Sequence, residues 1–159
     1  MDRLREIFES LGLADVETFI ASGNVIFRSR SGKPDVLETK IEQQLRKSLG
    51  FDVSTLIRST SEVAAIVALD PFPGSATPIS TLYVGLLKSA PDGDARQRVM
   101  ALGTPTDELY VDGRELYWLC HTKSMSSIVT VGRLEKSAMK AATFRNISTL
   151  RKLAEKYRE

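Results

Sequence analysis

The sequence predicts an α+β chain made of two related halves. Three observations predict it. Apolar residues recur at helical spacing in several separate segments. Runs of β-branched and aromatic residues flank short turns rich in Gly, Asn and Asp. A helix–hairpin–helix order occurs twice. The chain has 159 residues, enough for one domain or two small halves with cores of their own.

Leu4, Ile7, Phe8 and Leu11 fall at i, i+3, i+4 and i+7, one face of an amphipathic helix, and Gly12 follows where a left-handed cap belongs. Val16, Thr18 and Ile20 alternate with Glu17, Phe19 and Ala21, which predicts a strand. Ser22-Gly23-Asn24 then separates this strand from Val25-Ile26-Phe27, and the pair reads as a hairpin. Pro34 opens a helix whose Leu37, Ile41, Leu45 and Leu49 recur every fourth residue, and Gly50 closes it. Val53, Leu56 and Ile57 predict a further strand. Ser59 and Glu62 have capping-box spacing ahead of Val63, Ile66, Val67 and Leu69, and Pro71 and Pro73 end that helix.

The stretch "PFPGSATP", residues 71–78, is the richest in Pro, Gly and Ser. It divides the chain into a first half over 1–72, a linker over 73–79 and a second half over 80–159. Thr81–Leu87 predicts a strand, and "PDGDARQRVMALG" a short helix with acidic residues in its first turn. In "ELYVDGRELYWLC" the Asp112-Gly113 pair predicts a type I′ hairpin turn. Leu116, Trp118 and Cys120 then share one face, and Tyr117, Leu119 and His121 the other. From Ser124 the spacing of Ile128, Val131, Leu134 and Met139 is helical. Thr143–Asn146 interrupts it, and Asn146 caps a last helix through Leu150, Leu153, Ala154 and Tyr157. The predicted order is α-β-β-α-β-α, then β-α-β-β-α-α. It approaches two ferredoxin-like (split βαβ) half-units with mainly antiparallel sheets.

Composition narrows the function classes. A net charge of +2 does not point to nucleic acid or an anionic membrane surface. One cysteine, Cys120, and one histidine, His121, form neither a disulfide nor a four-ligand zinc site. No apolar run approaches the roughly 20 residues of a membrane helix, and the N-terminus has no apolar secretory core. A cytoplasmic location is expected, with no metal and no cofactor. GxGxxG, Walker-type and HExxH motifs are absent. Neither half shows the basic-aromatic strand pattern that stacks nucleic-acid bases.

Three groups of residues are candidates for chemistry. Ser22, Gly23 and Asn24 offer a hydroxyl, an amide and turn N–H groups to a phosphate or carboxylate. Thr143, Arg145, Asn146 and Thr149 combine a helix start with a guanidinium fork. They lie in a segment, 136–159, with seven Lys/Arg against two Glu. His121, Lys123 and Ser124 form a weaker group for acid–base or nucleophilic work, since spacing places no carboxylate beside the histidine. Each group also has a purely structural reading: a self-satisfied turn, a helix cap, and polar surface at a strand end.

The stretches "ESLGLADVETFIASGNVIF", "ELYWLCHTKS" and "ATFRNISTLRKL" together resemble the domain-of-unknown-function 1697 family, over nearly the whole chain. The resemblance implies a small α+β protein of two ferredoxin-like units with no settled activity or ligand. It also implies a strand ahead of the first helix, in the centre of the first sheet. That strand is not present in this sequence, so the first half is expected to lack its first strand. A start codon set too late, a trimmed chain, or a strand supplied by another chain would each account for this.

The resulting expectation is a binding domain for a small anionic or phosphate-bearing ligand, held between the Ser22–Asn24 turn and the Thr143–Thr149 helix start. Two alternatives stand beside it. One is an enzyme on a nucleotide-like or acyl substrate. The other is an interaction module that forms a homodimer through its open sheet edge.

Overall fold

The computed structural model describes every residue except 1, 20–22, 31, 123–126, 128 and 158–159. The order is α1 (Asp2–Ser10), β1 (Ala14–Phe19), β2 (Asn24–Arg28), α2 (Pro34–Leu49), α3 (Thr60–Ala68), β3 (Thr81–Leu87), α4 (Gly93–Met100), β4 (Asp107–Asp112), β5 (Glu115–Cys120), α5 (Val131–Ala138), β6 (Ala142–Asn146) and α6 (Ile147–Lys156). The α+β class expected from the sequence is present, with antiparallel sheets. By contact the chain divides into Met1–Ser59 and Thr60–Glu159. This puts α3 in the second unit, not with the residues before it. The cause is apolar: Ile66 of α3 buries against Ile147 and Leu150 of α6 and Val84 of β3.

In the first unit α1 and α2 pack on one face of the antiparallel β1–β2 hairpin. Ile7, Phe8, Val16, Leu37, Ile41 and Leu45 are the buried core, and Val25 and Phe27 of β2 pack against it. Phe8 and Phe27 meet at 5.6 Å between ring centres. Val53 and Ile57 pack on the same core. The strand expected there is not formed: residues 51–59 carry no strand. Their stand-in is a pair of carboxylates on α2. Glu38 Oε2 accepts the Ile57 N–H at 2.7 Å, and Glu42 Oε2 accepts the Thr55 N–H at 3.3 Å. Glu38 is 5% exposed, so its charge is buried against this backbone donor.

The second unit is built on a four-stranded antiparallel sheet in the order β4-β5-β3-β6. β3 is interior, with β5 on one side and β6 on the other. Helices cover both faces. On one, Val99 of α4 and Leu134 and Ala138 of α5 bury Leu109, Val111, Leu116, Trp118 and Cys120. On the other, α3 and α6 cover Val84 and Tyr117, and the Tyr117 hydroxyl donates to the Ile66 carbonyl at 2.9 Å. This two-sided burial explains the nearly continuous apolar reading of β5.

Three local expectations change. Thr143–Asn146 is the edge strand β6, not an interruption between helices, since Ala142–Asn146 pairs with Tyr83–Leu87. α5 starts at Val131, capped by Thr130, and Met139 leaves it in the left-handed conformation, 74% exposed. The β4–β5 loop is Gly113-Arg114, because Asp112 pairs with Glu115. Only Gly113 has positive φ there, at 57°, the pattern of a type II′ turn and not I′.

Two tight spots fix the sheet. At Gly85 the Phe144 ring lies across the strand, and an added Cβ would come within 2.6 Å of it. Phe144 in turn meets Trp118 edge-on at 6.2 Å, so it has little room to retreat. Asp107, 1% exposed, accepts from Trp118 Nε1 (2.9 Å), Ser127 Oγ (2.8 Å), Thr104 Oγ1 (2.7 Å) and Thr106 Oγ1 (3.1 Å). Burial pushes its carboxyl up, but the four donors outweigh burial and hold it below the ordinary carboxylate range.

Gly85→Ala is expected to destabilise the chain by about 1–3 kcal/mol through overpacking, read as a lower denaturant midpoint. Asp107→Asn is expected to cost about 1–3 kcal/mol near neutral pH, because its amide turns donor toward groups that already donate. A carboxyl with a depressed folded pKa adds stability above its unfolded pKa of about 3.9, and that stability fades as pH falls through the folded value. Denaturant midpoints of wild type and Asp107→Asn measured down a pH series should therefore converge in acid.

Candidate functional site

Of the first candidate group, Ser22 lies outside the described residues, as does the neighbouring Ile20. Gly23 has φ +79°, as a turn glycine does. Asn24 pairs with Phe19 at the end of the hairpin, and its Nδ2 donates to the Phe19 carbonyl at 3.2 Å. The amide therefore serves to close the hairpin.

The second group lies on one continuous segment. Thr143 and Arg145 point to the same side of β6, opposite Phe144. Arg145 pairs with Val84, on the α3/α6 face of the sheet. Its guanidinium is half-buried, donates to the Phe144 carbonyl at 3.0 Å, and is lowered in pKa by burial. Asn146 caps α6, its side-chain oxygen accepting from the Ser148 N–H at 2.9 Å. Thr149 stands in the first turn of α6.

The third group gains the most. Lys123 and Ser124 lie outside the described residues, but His121 does not. It sits one residue past the end of β5, where its N–H donates to the Thr106 carbonyl at 2.8 Å. Its Nε2 is 2.8 Å from Glu108 Oε2, and its Nδ1 is 2.6 Å from Ser80 Oγ. Sheet register makes both contacts. Thr81 lies opposite Cys120, so Ser80 falls opposite His121. Glu108 lies opposite Leu119, two residues before His121, so it shares the face of His121 at the diagonal position.

The surroundings extend the chain of polar groups. Ser75 Oγ donates to Glu108 Oε1 at 3.3 Å. The Thr77 N–H reaches Ser80 Oγ at 3.0 Å, and Thr77 Oγ1 is 2.9 Å from it. Sequence reasoning singled out His121 but missed Glu108 and Ser80. The register of the Gly113 hairpin was the available signal for Glu108. Ser80 depends on the long-range β3–β5 pairing, which leaves no local mark. Cys120 is fully buried in the core beside Trp118, as its alternation implied. Among the described residues no cluster of three or more His, Cys, Asp or Glu could hold a metal ion, and no helix is long and apolar enough to cross a membrane.

No curated protein matches the chain. Among solved structures, the conserved bacterial protein SP0830 from Streptococcus pneumoniae is similar, with a TM-score of 0.74 at 21% identity, over 100% of this chain and 89% of that one. At that identity the likeness is one of fold. The family model described as "Protein of unknown function (DUF1697)" matches residues 1–117. Those residues hold the Ser22–Asn24 turn, Ser80 and Glu108, while His121 and the Thr143–Thr149 segment lie beyond them. With well over half of its length matched, the chain belongs to the DUF1697 family.

Proposed function

We propose that the chain is a strand-accepting interaction module, whose first unit takes up an extended segment from a partner chain. One observation carries this reading: residues 53–57 form no strand, yet Val53 and Ile57 pack on the core and the Thr55 and Ile57 N–H groups are taken by the carboxylates of Glu42 and Glu38 in place of strand carbonyls. β2, on the same core, has β1 as its one strand neighbour among the described residues. The second unit supplies the comparison. Its α4-β4-β5-α5-β6 run repeats the order α1-β1-β2-α2 followed by residues 53–57. There the interior strand β3 lies between β5 and β6. On this reading both units follow the ferredoxin-like plan, and the place of β3 is open in the first. Addition of a strand to an open sheet edge is a common mode of peptide recognition, with affinity from main-chain bonds and selectivity from alternate side chains. The fitting occupant is apolar at every second position, to meet Val25, Phe27, Val53 and Ile57.

The test is a lysine-flanked peptide with the β3 sequence TLYVGLL, added to isotope-labelled chain. Slowed amide exchange is expected within 24–28 and 53–57, with the 107–120 hairpin unchanged. If those amides are instead already protected in a concentration-dependent dimer, the occupant is a second copy. A monomer whose exchange no alternating apolar peptide alters refutes the reading.

A second reading, small-anion binding at Thr143, Arg145, Asn146 and Thr149, is favoured by the partial burial of the Arg145 guanidinium, which lowers its pKa. Inorganic phosphate should then raise the melting temperature of wild type and leave Arg145→Met unmoved. Equal shifts in the two proteins would refute it.

A further inference from the structure

The polar chain around His121 converges on the Glu108 carboxylate. Ser75 donates to Glu108 Oε1, and an Nε2–H tautomer of His121 donates to Glu108 Oε2, at 3.3 and 2.8 Å. That tautomer leaves Nδ1 with a lone pair aimed at Ser80 Oγ, 2.6 Å away. The Thr77 N–H points at the same oxygen from 3.0 Å, and it stabilises negative charge there as the hydroxyl proton is drawn toward the imidazole. These are the three parts of an activated nucleophile: hydroxyl, base and a carboxylate that orients the base. The ring is turned relative to the commonest arrangement, with Nδ1 facing the serine and Nε2 the carboxylate. The site is not sealed. His121 and Glu108 are 19% and 37% exposed at their side chains, and Thr77, Pro78 and Ile79 beside Ser80 are exposed.

We propose that Ser80 is a nucleophile toward small activated carboxylic esters, with His121 as its base and Glu108 as the positioning residue that holds the imidazole. Ser80 Oγ forms a bond to the acyl carbon while its proton passes to His121 Nδ1. The alkoxide of the ester leaves and takes that proton, giving an acylated Ser80. Water then attacks the acyl carbon, loses its proton to Nδ1, and the carboxylic acid departs as Ser80 Oγ is reprotonated. The apolar Ile79, adjoining Ser80 in the chain and 75% exposed, suits a short acyl group.

The test uses the full chain and p-nitrophenyl acetate, with release of nitrophenolate followed by absorbance and the acetylated residue mapped by peptide mass spectrometry. Acetylation at Ser80 is expected. Its rate should fall about 100-fold in His121→Ala, the scale of a lost general base, and less in Glu108→Gln. Added imidazole should partly restore His121→Ala, an effect that a merely structural histidine would not produce. Mapping on the wild type needs no variant to fold. Acetyl groups found on lysines alone, or an unchanged rate in His121→Ala, would overturn the proposal.

Discussion

Every backbone N–H drawn into an interior must find an acceptor, and the two units meet that demand differently. In the second, β3 is paired along both edges, to β5 and to β6. In the first, Val53 and Ile57 lie against the core, no strand pairs with residues 53–57 among the described residues, and two glutamates on α2 accept the Thr55 and Ile57 N–H groups. These donors are two residues apart, and the glutamates that take them stand one helical turn apart on α2. A similar device helps start β6, where Glu135 Oε2 on α5 accepts the Ala142 N–H at 2.9 Å. Helix carboxylates thus begin what a neighbouring strand elsewhere completes.

The interior position of β3 also fixes the chemistry at its end. Antiparallel pairing to β5 brings Ser80 to His121 across 41 residues of sequence. The alternation of β4 then sorts two adjacent carboxylates into different roles. Asp107 points to the Trp118 side, where it is buried and fully donated to, and acts as an anchor. Glu108 points to the other side, toward the partly exposed His121. A slip of one residue in this hairpin would exchange the two and leave a buried carboxylate without its donors. The Gly113-Arg114 loop holds that register, and Arg114 is itself paired with Glu62 of α3.

Much of this was legible from residue patterns. The helical spacing of α1 and α2 and the alternation of β1 and β5 stand in the sequence because each element has one face or both against a core. β6 was not legible, because "ATFRN" is five residues long with a charge inside it, and only its pairing with β3 makes it a strand. The opposite error befell 53–57, where Val53, Leu56 and Ile57 carry strand propensity but no strand partner stands among the described residues to realise it. α3 could not be assigned to its unit from a Pro-rich stretch, because a linker composition marks flexibility of the chain, not which surface a helix covers. Of the candidate site, His121 was visible as a residue type. Its two partners arise from sheet register, one local and one distant.

The unequal burial of the two α2 glutamates shapes what an incoming strand must do. Glu42 is only partly buried, so on the strand-accepting reading its carboxylate would turn to water when a backbone carbonyl takes over the Thr55 N–H. Glu38 is buried, and a carboxylate stripped of its donor there would bear a desolvation cost of several kcal/mol. On the strand-accepting reading, then, the arriving backbone must present an N–H to Glu38 or leave its bond to Ile57 intact. Where the strand does take over that bond, the condition selects one alignment over its neighbours, since shifting the strand by one residue turns a carbonyl toward the carboxylate and its apolar side chains away from the core. On that reading, a buried carboxylate that looks like a liability in the first unit would act as its register mark.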